Sequence, residues 1–256
     1  RPGAAGNLGA EQVARAAPDG YTLLVVGPNH TTNPHLFRAL PFDPMRDFAP
    51  VSLLTSAPYV LVAHPGLPAR TLQELFALAR ARPGTLSYGS AGNGTAGHLA
   101  MEMIRAQAGL DMVHVPYRGS PPLLTDLMGG RVAVGFDNVL SSAPAIAAGT
   151  LRALAVSGAR RAPALPDVPT IAESGLPGFD VRVWQGLLAP AGTPPDILAT
   201  LAREVRAALA TPALQERMAA LGVEAIGSTP AEFAAFLAAD LARWGEAVRR
   251  SGARLD

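Results

Sequence analysis

"TLSYGSAGNGTAGHLAMEM", residues 85–103, reads as a strand, a turn of small residues and the start of a helix. Within it, Gly92-Asn93-Gly94-Thr95-Ala96-Gly97 has the GxGxxG spacing of dinucleotide loops. That fingerprint also asks for an acid about 20 residues on, after the next strand, to hold the ribose hydroxyls. The next strand, "MVHVPY" (112–117), leads into Tyr117-Arg118, and Asp111 lies before it, on the wrong side. Arg118 keeps one alternative open: an NADP-linked oxidoreductase using the loop at 92–97. A serine hydrolase would need G-x-S-x-G. Tyr88-Gly89-Ser90-Ala91-Gly92 lacks the first glycine, although a Ser90–His98 pair could still be assembled in space.

The physical content of the loop outlives both motifs. A helix N-terminus presents unpaired N–H groups and the positive end of the helix dipole. Gly92 and Gly94 let an anion approach the backbone. Ser90, Asn93 and Thr95 add neutral donors, and no arginine lies in the loop. A site of this kind suits reversible capture of a carboxylate without a buried ion pair. Read without a ligand, the same stretch is a glycine-rich turn with Thr95 as a helix cap.

The flanks repeat the strand–turn–helix rhythm. "AEQVARAA" (10–17) reads as a helix, "YTLLVVG" (21–27) as a buried strand, and 28–34 as a polar loop. Residues 47–65 hold two strand-like runs around Ala57-Pro58. Thr71-Leu72-Gln73-Glu74 is a capping box opening a helix. "RVAVGF" (131–136) and "LRALAVS" (151–157) are strands, with a short helix at 142–148 between them and another helix at 120–128 before them. Alternation of this kind predicts a parallel α/β sheet. After "FDVRVWQGLLAP" (179–190) the chain turns helical, with Thr193 and Thr229 as expected N-caps before proline. Phe233, Phe236, Leu237, Leu241, Trp244 and Val248 share one face of the last helix, as in a helix docked on a domain.

Composition narrows the chemistry. The 256 residues are 49% hydrophobic, carry a formal net charge of +1, and include no cysteine and no lysine among 21 basic residues. Thiolate nucleophiles, disulfides, Schiff-base lysines and Walker lysines are therefore absent. The charge shows no nucleic-acid footprint. No apolar run approaches the roughly eighteen residues of a membrane span.

Several separated segments resemble one family: "RPGAAGNLGAEQVARAAPDGYTLL", "LSYGSAGNGTAGHLAMEM", "VPYRGSPPLLTDLMGGRV", "FDN", "LRALAVSGARRAPALPDVPTIAESG" and "WQGLLAPAGTP". Together they are similar to the Bug family, the extracytoplasmic solute receptors of tripartite tricarboxylate transporters. The resemblance implies a type II periplasmic-binding-protein fold: two α/β lobes joined by a two-strand hinge, closing as a flytrap on a small carboxylate. It implies lobe one at 1–61 plus 189–256 and lobe two at 62–188. The ligand would be a di- or tricarboxylate, an aromatic acid or an acidic amino acid, passed to membrane permease subunits. A monomer in the periplasm, its signal peptide removed, is expected, with no enzyme activity, cofactor, metal or nucleic acid.

Carried onto these residues, the family pattern assigns the anion loop to Ser90, Ala91, Gly92, Asn93, Gly94 and Thr95. Asn29, His30 and Thr31 would contribute from lobe one, and Tyr117 and Asp137 from loops after strands. Asp137 either lines the site, selecting a ligand hydroxyl or amino group or orienting a water, or caps the following helix. Trp184 is expected to pack rather than to wall the site. The family pattern also places a strand, a Pro-Gly-Gly loop and a helix before Arg1, so a longer natural protein with a more complete site is expected.

Overall fold

The computed structural model describes residues 6–251 and 254. The opening stretch at 1–5 lies outside the described residues. In chain order the elements are α1 (Asn7–Ala14), β1 (Leu24–Val26), α2 (Asn29–Leu36), β2 (Phe48–Ala63), α3 (Leu72–Ala81), β3 (Ser87–Ser90), α4 (Ala96–Ala108), β4 (Val113–Pro116), α5 (Ser120–Met128), β5 (Val134–Asn138), α6 (Val139–Ala147), β6 (Arg152–Val156), β7 (Arg182–Pro190), α7 (Pro195–Leu209), α8 (Pro212–Ala220), β8 (Glu224–Ala225) and α9 (Pro230–Ser251). They divide into two units, Arg1–Ser56 with Trp184–Asp256, and Ala57–Val183. The chain thus changes unit within β2 and within β7, upstream of the crossings expected at 61/62 and 188/189.

In the first unit β1 pairs antiparallel with β7, Leu24 opposite Leu188 and Val26 opposite Gly186. β7 neighbours β2, and β2 pairs with the short β8. Val26, Phe42, Phe48, Leu53, Trp184, Leu188, Phe233 and Leu237 form the core. The last helix follows its pattern: Phe233, Leu237, Trp244 and Val248 are buried. Its start is a reciprocal capping box, Glu232 N–H donating to Thr229 Oγ1 (3.2 Å) and Thr229 N–H to Glu232 Oε2 (2.7 Å). Thr193 does not cap α7: Pro194 occupies that position, and the Thr193 hydroxyl donates to the Pro190 carbonyl at 2.8 Å.

Two local expectations fail for tertiary reasons. Residues 29–36 are a helix, not a polar loop. Thr, Asn and His are weak helix formers, and Pro34 sits inside the helix. The element is held from outside, by Asn33 Nδ2 donating to Asn7 Oδ1 (2.7 Å), Thr31 Oγ1 to Asp240 Oδ2 (2.7 Å), and a His35 Nε2 bond to the Leu241 carbonyl (2.9 Å). Residues 48–63 are one continuous strand rather than two. Pro58 interrupts nothing because the β8 pairing stops at Ser56 and the β5 pairing starts at Tyr59.

In the second unit β3 pairs parallel with both β4 and β5. The second half of β2 runs antiparallel to β5 on one side and β6 on the other. The order is therefore β6-β2-β5-β3-β4. Val60, Val62, Leu123, Leu127, Val132, Val139, Leu151 and Val156 fill its core. The C-terminal ends of β3, β4 and β5 lead into the N-termini of α4, α5 and α6, on the edge where open α/β sheets bind ligands.

Candidate anion site

The loop from Ser90 to Thr95 is shaped by its own small residues. Gly92 and Gly94 adopt φ of +146° and +71°, which side-chain-bearing residues rarely adopt. Tyr117 N–H donates to Ser90 O and Gly119 N–H to Ala91 O, both at 3.0 Å, extending the β3–β4 ladder past the strands. Thr95 caps α4, its Oγ1 accepting from His98 N–H.

Three of the four amides expected to face an anion are committed to the protein instead. Gly92 N–H donates to Ser90 Oγ (3.3 Å), Gly94 N–H to His98 Nδ1 (3.1 Å) and Thr95 N–H to Gly92 O (3.3 Å). The Thr95 hydroxyl donates its one hydrogen to Gly92 O at 2.8 Å. These bonds build the loop and engage the Gly92, Gly94 and Thr95 amides and the Thr95 hydroxyl within it. Between residues 90 and 97, no protein acceptor pairs with the amides of Ala91 and Asn93 or of the first two residues of α4, Ala96 and Gly97. Gly97 also lets α4 seat on β5, since a Cβ there would lie 2.9 Å from Phe136 O. The available donors thus include the first two residues of α4, beyond the 90–95 stretch assigned to the anion loop. Thr95→Ala should cost about 1 kcal/mol of stability through the lost cap, read by chemical denaturation; an unchanged midpoint would mean the cap is idle.

Ser90 is fully buried, with Oγ 2.7 Å from His114 Nε2 and not bonded to His98. A serine–histidine bond is therefore present, but the hydroxyl is shielded from any ester. The His98 and His114 rings stack at 4.0 Å and 9°. Burial lowers both pKa values, that of His114 to about 4, where the neighbouring His98 adds to the effect. Both rings are neutral at pH 7.

Asp137, at the end of β5, is 3% exposed. Its Oδ1 accepts from Ser120 Oγ (2.6 Å) and Asn138 Nδ2 (3.2 Å). Its Oδ2 is buried with no partner, and burial pushes its pKa up. It does not cap α6; Asn138 does, accepting from Ser141 N–H at 2.8 Å. Oδ2 is chemically an acceptor awaiting an N–H or O–H, or a donor when protonated. The Ser142 hydroxyl is likewise buried and unpartnered. Tyr117 O–H donates to Asp126 Oδ2 at 2.9 Å, so its hydrogen is engaged within the unit, and burial with this bond pushes its pKa up to about 12.

In the first unit Asn29 lines a cavity of about 270 Å³ together with Gly27, Pro28, His30, Asn33 and Phe42. The His30 ring lies edge-on to Phe48 and bonds the Pro44 carbonyl at 2.9 Å. Its pKa is lowered by burial. Thr31 Oγ1 is held by Asp240 and is fully buried. The His30 and Thr31 side chains thus anchor α2, with His30 also lining the cavity beside Asn29. Trp184 packs, as expected: it is 2% exposed, and its Nε1 donates to Asp240 Oδ2 at 3.2 Å. Sequence reasoning missed His114, Ser120, Ala96 and Gly97. The first two lie in "HVPYRGS", where nothing in the spacing reports a bond to Ser90 or Asp137.

The strand ends of the second unit meet helix N-termini, where open α/β sheets bind ligands, and the proteins this chain matches are solute-binding receptors rather than enzymes. The chain is a member of the Tripartite tricarboxylate transporter family receptor (TctC) family, matched over residues 1–253. It is 36% identical over 257 residues to "Protein BugT" of Bordetella pertussis, covering 100% of this chain and 79% of that protein. Among solved structures it is similar to Rhodopseudomonas palustris Rpa4515 with adipate (TM-score 0.86, 36% identity, 99% of this chain and 85% of that one). It is also similar to MatC of the same organism with bound malate (TM-score 0.80, 35% identity, 96% and 85%). Members of this family are periplasmic binding proteins with a two-lobe fold.

Proposed function

We propose that this protein captures a small organic carboxylate in the periplasm, as a monomer, and delivers it to the membrane permease subunits of a tripartite tricarboxylate transporter. The observation that carries the reading is the set of unpaired amides at Ala91, Asn93, Ala96 and Gly97, at the positive end of α4 in a stretch without an arginine of its own. Neutral donors at a helix N-terminus attract an anion while leaving it free to depart. The solved relatives with adipate and malate support a dicarboxylate as the ligand. Asp137 Oδ2 and the Ser142 hydroxyl are further contacts in this reading, one an acceptor and the other able to donate or accept. Ser90, Gly92, Gly94, Thr95 and Tyr117 shape the loop.

Thermal unfolding with a panel of succinate, malate, adipate, citrate, benzoate and aspartate tests this directly. At a concentration one hundred times its dissociation constant, a true ligand adds about 2.7 kcal/mol to the folded state. A marked rise in melting temperature with at least one acid is expected, followed by calorimetric confirmation. A flat response across the whole panel would defeat the proposal.

A further inference from the structure

Beneath the anion loop lies a cluster that the binding role alone does not require. Tyr88 of β3, His114 of β4 and His98 of α4 form a continuous stack, Tyr88 to His114 at 4.8 Å and His114 to His98 at 4.0 Å. Each histidine holds one part of the loop. His98 Nδ1 accepts from Gly94 N–H at 3.1 Å, and His114 Nε2 is bonded to Ser90 Oγ at 2.7 Å. Ser90 Oγ in turn touches both the carbonyl and the amide of Gly92.

A backbone N–H can only donate. His98 Nδ1 must therefore carry a lone pair, which makes His98 the Nε2–H tautomer. A proton on Nδ1 would place a donor against the Gly94 donor and break that bond. Two stacked imidazoles also resist sharing charge, because a proton on one repels a proton on the other.

We propose that His98, stacked on His114, is a positioning residue that holds the 90–95 loop in its carboxylate-binding form only while its own ring is neutral, so that acidification opens the loop and releases the ligand. This rests on the loop being the anion site, as proposed above. The groups facing the pair are Tyr88 from β3 and Glu102 and Arg105 from α4. Glu102 favours protonation of both rings, while Arg105 disfavours it. Glu102 is itself bonded to the Tyr88 hydroxyl and to Arg105 Nη1 at 2.6 Å, so its charge is largely balanced in place.

The sign follows from the direction of the shifts. Both histidines bind protons more weakly folded than unfolded. The unfolded chain therefore takes up more protons as pH falls below the ordinary histidine value, and folded-loop stability declines through that window toward pH 4.

Two measurements test the proposal. In ¹⁵N-labelled protein without ligand, the Gly92 and Gly94 amide resonances should move together with the titration of His98 and His114 between pH 7.5 and 4, and His98 should show the Nε2–H tautomer at pH 7.5. Calorimetry with malate and with adipate at pH 7.5 and 4.5 should show wild-type affinity falling roughly fivefold more than that of His98→Asn, on the scale of one hydrogen bond. Asparagine keeps an acceptor near the Nδ1 position and cannot titrate, and each acid's own protonation cancels in the comparison. Loop amides that ignore the histidine titration would overturn the inference even if carboxylates bind. Equal acid sensitivity in wild type and His98→Asn would do the same. If neither acid binds, the receptor reading is in question, and the amide titration still decides the coupling.

Discussion

Asp240→Ala should lower the unfolding free energy by about 3 kcal/mol, because one buried carboxylate oxygen serves three donors. The Asp240 carboxylate is 2% exposed and gathers three donors on Oδ2: Thr31 Oγ1 at 2.7 Å, Trp184 Nε1 at 3.2 Å and Trp244 Nε1 at 3.0 Å. Each buried donor left without an acceptor costs about 1–3 kcal/mol. Thr31 has a second acceptor, the Pro28 carbonyl at 3.0 Å, so its hydroxyl keeps a partner. Among the described residues neither indole has a second acceptor: both are buried, and Trp184 lies edge-on to Phe233 and Phe236. Burial raises the Asp240 pKa, which shows that the charged form is itself costly there, and removing it returns part of the loss. Asp240→Asn keeps one acceptor and the volume, and should lose less than half as much. Equilibrium denaturation of both variants checks the ordering; an alanine variant as stable as wild type would mean the indoles find other acceptors. Because Thr31 docks α2 and Trp184 lies in β7, the same carboxylate holds α2 in place around Asn29.

Gly94→Val should weaken carboxylate binding at least tenfold while the protein still folds. Gly94 sits at φ +71°, a region that costs a side-chain-bearing residue about 1–2 kcal/mol and is a severe outlier for a β-branched one. The strain is relieved by rotating the peptide. That rotation withdraws the Gly94 N–H from His98 Nδ1 and shifts Asn93 and the start of α4, which present the orphan amides. Gly94→Ala should fall between wild type and valine. Calorimetry with whichever panel acid raises the melting temperature gives the affinity, and thermal unfolding without ligand separates binding from folding. A valine variant binding within twofold of wild type would show that the loop backbone does not shape the site.

The residues differ in how far they disclosed these roles. The strand–turn–helix reading of 85–103 is right because it depends on local signals: small residues with positive φ, a Thr cap and a 3.6-residue apolar period. The capping box at Thr71 is local as well, although Glu74 closes on the Arg70 amide rather than on Thr71's. Which amides remain free was not legible. It turns on whether Gly94 N–H meets water or an imidazole four residues along, and GxGxxG spacing is blind to that. Asp137 left two readings open for the same reason, since its own helix cap was taken by its neighbour Asn138.

By itself, then, the sequence established an alternating α/β chain, a loop of neutral donors where a lysine-free, cysteine-free chemistry would bind an anion, and membership in a receptor family through motifs spread along the chain. These are properties of near neighbours and of residue order. Tertiary structure alone decided that residues 29–36 are helical, that His30 and Thr31 turn inward, that His98 and His114 stack beneath the loop, and that Asp137 keeps one oxygen unpaired. Each of these depends on partners far away in the chain, such as Asp240 for Thr31 and Ser120 for Asp137. The physical reason is that a polar side chain goes wherever it finds its hydrogen-bond partner, and distant partners meet only once the sheet and helices have brought them together.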